Sequence, residues 1–76
     1  MNSNLIPHEV VSRIVDGTTT VRAWREHLNL TQDEVARRLG ISQPAFAQQE
    51  SVAKPRRATR EKIAAGFGIQ ADQLEL

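Results

Sequence analysis

The sequence predicts an all-α protein, a compact bundle of about five short helices. Three observations carry this. Apolar residues recur at helical spacing in several separate windows. Capping and stop residues punctuate the chain between those windows. No window alternates apolar and polar residues for long enough to make a strand.

The 76 residues allow one domain at most. A chain this short buries only ~60% of the surface its unfolded form exposes, which argues against a large enclosed active site. Residues 1–6 read as a flexible arm and residues 7–76 as the single domain. With no cysteine, disulfides and thiolate ligands are excluded. Hydrophobic content of 39% and charged content of 25% are ordinary for a globular domain. No apolar run reaches membrane-spanning length, and the first residues lack a basic region and a long apolar core, so the expected location is cytoplasmic.

The first helix begins near Pro7, where a missing donor is harmless. Val10, Val11, Ile14 and Val15 then form an aliphatic stripe, and Gly17 stops the helix. The stripe packs on the core or meets a second copy or a partner; both readings stand. In the second helix Val21, Trp24 and Leu28 share one face, while Arg22, Arg25 and Glu26 point elsewhere. Trp24 reads as a core residue with an exposed ring edge. His8 and His27 have no neighbours at metal-ligand spacing, so neither a metal nor another cofactor is expected.

The third and fourth helices are the organising stretch. Thr31 and Glu34 have capping-box spacing. Val35 and Leu39 fall on one face with Ala36 beside them. Gly40 stands where a left-handed turn residue is wanted. Ser42 caps the next helix, which Phe46 anchors to the core. Adjacent Asp33 and Glu34 sit in a first turn, where the helix dipole favours negative charge, and this explains them better than acid–base catalysis does. The outward positions of the fourth helix are Gln43, Pro44, Ala45 and Gln48. A glutamine amide can pair bidentately with adenine in the major groove.

These residues resemble the helix-turn-helix of the phage repressor and Cro family, often called XRE-like. Ala36, Gly40 and Phe46 sit at the motif's relative spacing, and Leu39-Gly40-Ile41-Ser42-Gln43 is close to the family's commonest wording. The resemblance implies a lambda-repressor-like fold and a double-stranded DNA operator as partner. It carries base readout onto Ser42, Gln43, Pro44, Ala45 and Gln48, with Gln43 and Gln48 foremost. Gln32 matches the family's phosphate-binding glutamine at a helix start. Pro44 is tolerated because it falls in the first turn. The family usually binds as dimers to half-sites ~34 Å apart, so a homodimer is implied. The stripe Val10, Val11, Ile14 and Val15, or the tail from Ile69 to Leu76, would form the interface.

After the fourth helix comes a loop, residues 51–57, broken by Pro55. The chain's net charge is only +1, but Lys54, Arg56, Arg57, Arg60 and Lys62 crowd into nine positions. A local basic patch counts for more than total charge in phosphate binding, and Lys54, Arg56, Arg57 and Arg60 are the candidates. A last helix begins near Ala58 or Thr59 with Ile63, Ala64 and Phe67 inward. Gly66 and Gly68 weaken and end it. Two departures from the family stand out. Gln49 replaces a usually buried aliphatic residue, and Ser51, Val52 and Ala53 stand where a glycine usually follows, so the fourth helix is expected to run on or to exit by another path.

The reading that results is a sequence-specific DNA-binding transcriptional regulator, a dimeric repressor. Pro7-His8-Glu9-Val10-Val11, and Gly17 before Val21-Arg22-Ala23-Trp24-Arg25-Glu26, look like small antitoxins of the family that repress their own operon, which would imply a toxin partner. The alternative is a protein-interaction module that keeps the fold without DNA binding. An enzyme is not expected: no nucleophile–base pair, paired catalytic carboxylates or phosphate-cradling glycine loop is visible.

Overall fold

Side chains cap three of the α-helices in the computed structural model, which describes residues 6–75. Five α-helices follow one another: α1 His8–Val15, α2 Thr20–His27, α3 Gln32–Leu39, α4 Gln43–Glu50 and α5 Arg57–Phe67. A single 3-10 turn, Ala71–Leu74, closes the chain. Thr19 Oγ1 accepts from the Arg22 amide at 3.3 Å, and Ser42 Oγ from the Ala45 amide at 3.2 Å, each capping its helix. At α3 the capping box forms in full. Glu34 N donates to Thr31 Oγ1 at 3.0 Å, and Thr31 N to Glu34 Oε1 at 2.8 Å.

The ends of α2 and α3 share one device. After α3, Ile41 N donates to Ala36 O and Gly40 N to Arg37 O. Gly40 has φ of 71°, a conformation that costs an L side chain roughly 1–2 kcal/mol. The same pair of bonds closes α2, with Leu30 N to Arg25 O and Asn29 N to Glu26 O. There Asn29, at φ 58°, takes the left-handed place, being one of the few side-chain-bearing residues that adopt it readily. α4 ends otherwise. Ser51 stays right-handed and its hydroxyl donates to Gln48 O at 2.7 Å. The helix therefore stops at Glu50 and does not run on.

Amphipathic faces converge on one core of Val10, Val21, Ala23, Trp24, Val35, Ala36, Phe46, Ile63, Ala64, Phe67 and Leu74. Burial of these side chains, each typically worth ~1.5–3 kcal/mol for the larger aliphatics, holds short helices that would be unstable alone. α3 and α5 approach so closely that a Cβ at Gly66 would lie 2.9 Å from Leu39 Cδ2. Gly66 thus serves helix packing inside α5, and Gly68 alone ends that helix.

Several expectations are corrected. α5 starts at Arg57, because Arg56 already has the extended backbone of a cap. Pro7 caps α1 from outside, its carbonyl accepting from Val10 and Val11. The Trp24 ring edge is not exposed: the side chain is buried and Nε1 donates to Gln73 O at 3.0 Å. Of the expected arm, residues 1–5 lie outside the described residues, as does Leu76 of the tail, while Ile6 packs against the core. The α1 stripe divides. Val10 is fully buried and so unavailable to a partner, and Ile14 packs on the core. Val11 and Val15 remain 40% and 79% exposed.

Two outcomes test this account. Phe46→Ala will cost ~3–5 kcal/mol, a large share of the ~5–15 kcal/mol typical of a domain, read as a lower urea midpoint. The Thr31 backbone N–H, with its hydroxyl, holds the Glu34 carboxyl below the usual glutamate value. A lowered folded pKa stabilises the fold above the unfolded pKa and loses that contribution as pH falls. Glu34→Gln keeps the hydrogen-bond acceptor without the titration, so its urea midpoint will fall less between about pH 5 and pH 3 than that of the unmodified chain.

Candidate nucleic-acid interface

The two helix starts that the turn brings together are joined by their own side chains. Gln32 occupies the first position of α3 and Gln43 the first position of α4. Gln43 Nε2 donates to Gln32 Oε1 at 2.5 Å. Gln32 Nε2 in turn donates to Glu50 Oε1 at 2.6 Å. The second carboxylate oxygen, Glu50 Oε2, accepts from Arg25 Nε in an ion pair. Arg25 Nη1 also donates to Leu30 O at 2.8 Å, which ties the pair to the end of α2. A continuous chain of charge-assisted and amide hydrogen bonds runs from Arg25 through Glu50 and Gln32 to Gln43.

Glu50 is 4% exposed and the Arg25 side chain 14%. A charge in such a place is tolerated only when paired and hydrogen-bonded. The Glu50 backbone carbonyl is also used, accepting from Thr19 Oγ1 at 2.6 Å. Sequence reasoning missed both charged residues, placing Arg25 away from the core and giving Glu50 no role. The signal was spacing: Glu50 is one helical turn past buried Phe46, and Arg25 one turn past buried Val21.

The expected base readers divide by exposure. Ser42, Pro44 and Gln48 are exposed, and Gln43 and Ala45 are half-buried. Ser42 already spends one lone pair on its cap. α4 carries no charge before Glu50, so its outer face is polar and neutral. Beside Gln32 a groove runs between the start of α2 and α4, lined in part by Thr18, Thr19, Arg22, Ala47 and Ser51. Arg22 is exposed there and pairs with Glu26 at 2.9 Å, a bond that holds the Glu26 carboxyl below its usual value.

The basic run is less uniform than its composition. Lys54, Arg56 and Arg57 are exposed, Arg57 with a 3.3 Å contact to Glu61. Arg60 is turned inward. Its side chain is 21% exposed, with Nη1 donating to Pro55 O at 2.7 Å and Nη2 lying 3.5 Å from Glu75. It braces the loop, and this occupation weakens its standing as a phosphate contact. Gln49, expected at a usually aliphatic site, stays half-buried and borders a groove with Lys54, Arg56 and Thr59.

A helix-turn-helix domain model matches residues 18–76 of this chain. The chain belongs to the helix-turn-helix domain family. The match covers α2 through the closing turn and leaves α1 outside. The chain has no match among curated proteins or solved structures. Among the described residues no group of histidine, cysteine, aspartate and glutamate could hold a metal, and no helix is long and apolar enough to cross a membrane.

The buried pair has a measurable signature. Arg25→Met will leave the Glu50 carboxylate uncompensated and cost ~3–5 kcal/mol in urea unfolding. Arg25→Met combined with Glu50→Leu will recover much of that loss, because no lone buried charge remains.

Proposed function

We propose that this helix-turn-helix domain is a sequence-specific double-stranded DNA-binding regulator that works as a dimeric repressor in the cytoplasm. The observation that supports it most is the bond between Gln32 and Gln43. It links a side chain at a helix start, suited to a phosphate, with an amide at the start of the next helix, suited to a base edge. Base contacts come from Ser42, Gln43, Pro44, Ala45 and Gln48, of which Gln43 and Gln48 discriminate and Pro44 and Ala45 offer apolar contact to a thymine methyl. Gln32, Lys54, Arg56 and Arg57 hold phosphates, fixing register without carrying sequence information. Arg60 contributes mainly by holding the loop that presents its neighbours.

One such helix covers only a few base pairs, so two copies on paired half-sites are needed for useful specificity. Val11 and Val15, exposed on α1 outside the family match, offer a surface to a second copy; the tail from Ile69 to Leu76 is the other candidate, although its Leu74 is spent on the core. A toxin partner, as in antitoxin-type regulators, would compete for the same surface of α1.

Binding-site selection from random duplexes tests the reading. The expected sites are inverted repeats with half-sites about one helical turn apart. Gln43→Ala and Gln48→Ala will each relax preference at one base pair per half-site, while Lys54→Gln will weaken binding to all sequences and flatten the log–log salt dependence by ~0.9. Absence of duplex binding at low salt, or binding without preference, would retire this function in favour of a protein-interaction module.

A further inference from the structure

The chain of bonds behind Gln43 has a direction, and that direction starts at Glu50. A carboxylate offers acceptors only, whereas a glutamine amide has a donor end and an acceptor end. Arg25 fixes the Glu50 carboxylate from one side. Glu50 Oε1 then requires the amino group of Gln32, at 2.6 Å. Gln32 must therefore turn its carbonyl toward α4, where it receives Gln43 Nε2 at 2.5 Å. The amino end of Gln43 is thereby held against Gln32, leaving its second N–H and its carbonyl oxygen for an outside partner. The sense of the Gln43 amide is set chemically, since reversing either glutamine would face two donors or two acceptors at one of the junctions.

We infer that Glu50, a positioning residue that touches no base, sets the donor–acceptor polarity of Gln43 and so makes it distinguish A·T from T·A at the base pair it reads. The inference rests on the DNA-binding function proposed above. In the major groove adenine presents N7 as acceptor beside the N6 amino donor, and a bidentate amide must match that order. An amide free to rotate can match either order, because its two ends have nearly the same shape. One held from behind matches a single order. The locked amide also arrives already oriented, so less rotamer freedom is lost on binding.

The experiment compares the unmodified full chain with Gln43→Ala, Glu50→Gln and Gln32→Met on duplexes from the selected site. The four bases are permuted at the pair whose preference Gln43→Ala removes. Folding of each variant is checked by circular dichroism. Gln32→Met keeps the Arg25–Glu50 pair while cutting the relay, so it stands as the deciding variant where Glu50→Gln fails to fold. The unmodified chain should prefer A·T over T·A at this pair by roughly 5–150-fold, the range of one good bidentate contact. In Gln32→Met, and in folded Glu50→Gln, that ratio should fall to within about threefold, with discrimination at the pair read by Gln48 unchanged. A general loss of affinity from the missing Gln32 phosphate contact would leave the ratio untouched. Retention of the full ratio in Gln32→Met, or in folded Glu50→Gln, while Gln43→Ala abolishes it, overturns the relay alone. Absence of any base preference in the unmodified chain overturns the DNA-reading function, and the relay with it.

Discussion

The ion pair between Arg25 and Glu50 is the constraint around which the rest of the domain is arranged. It joins the end of α2 to the end of α4, two elements separated by the whole of α3 and the turn. Hydrophobic burial decides that the helices come together, but that force is non-directional and would tolerate some sliding. A charge pair inside the same interface does not tolerate it, because a small displacement leaves a charge unpaired where little water reaches. Thr19 on the Glu50 carbonyl and Leu30 on the Arg25 guanidinium extend the restraint to both ends of α2. The pair thus converts a greasy contact among three helices into a defined register.

That register matters because α4 reaches the core through a single large side chain, Phe46. Its outer face is neutral, and its exit lacks the left-handed closure seen after α2 and α3. Phe46 anchors the inner face and Glu50 the far end. Between these two points the outward side chains of α4 are presented from a fixed axis. The same carboxylate serves the fold through Arg25 and holds Gln32 at the surface, so one residue ties the core to the two helix starts.

Much of this was legible in the chain. Thr31 with Glu34, Gly40 and Ser42 marked the helix-turn-helix because caps act over three or four residues, a range that sequence displays directly. The inward faces of α2, α3 and α5 followed from periodicity for the same reason. What escaped depended on distant partners. Trp24 is buried to its indole nitrogen because Gln73, 49 positions later, supplies a carbonyl. Val10 and Val11 are identical in type and adjacent, yet packing buries one fully and leaves the other partly in water. Glu50 and Arg25 were overlooked because charged residues are seldom buried, although their helical positions pointed inward. Arg60 reads as one cation among several until Pro55 and Glu75 are placed beside it.

The Gln32 carbonyl has one more consequence, for how such a domain could change over generations. It faces position 43 as a standing acceptor. A replacement there that brings a donor, such as arginine, would be welcomed, and arginine is suited to guanine. Glutamate, which accepts from cytosine, would meet that carbonyl and the carboxylate behind it with like polarity. Under the base-reading role proposed for it, the alphabet open to this position is skewed toward purines. A lineage could drift from one purine to the other in a single step, but could reach cytosine only after rebuilding the residues beneath.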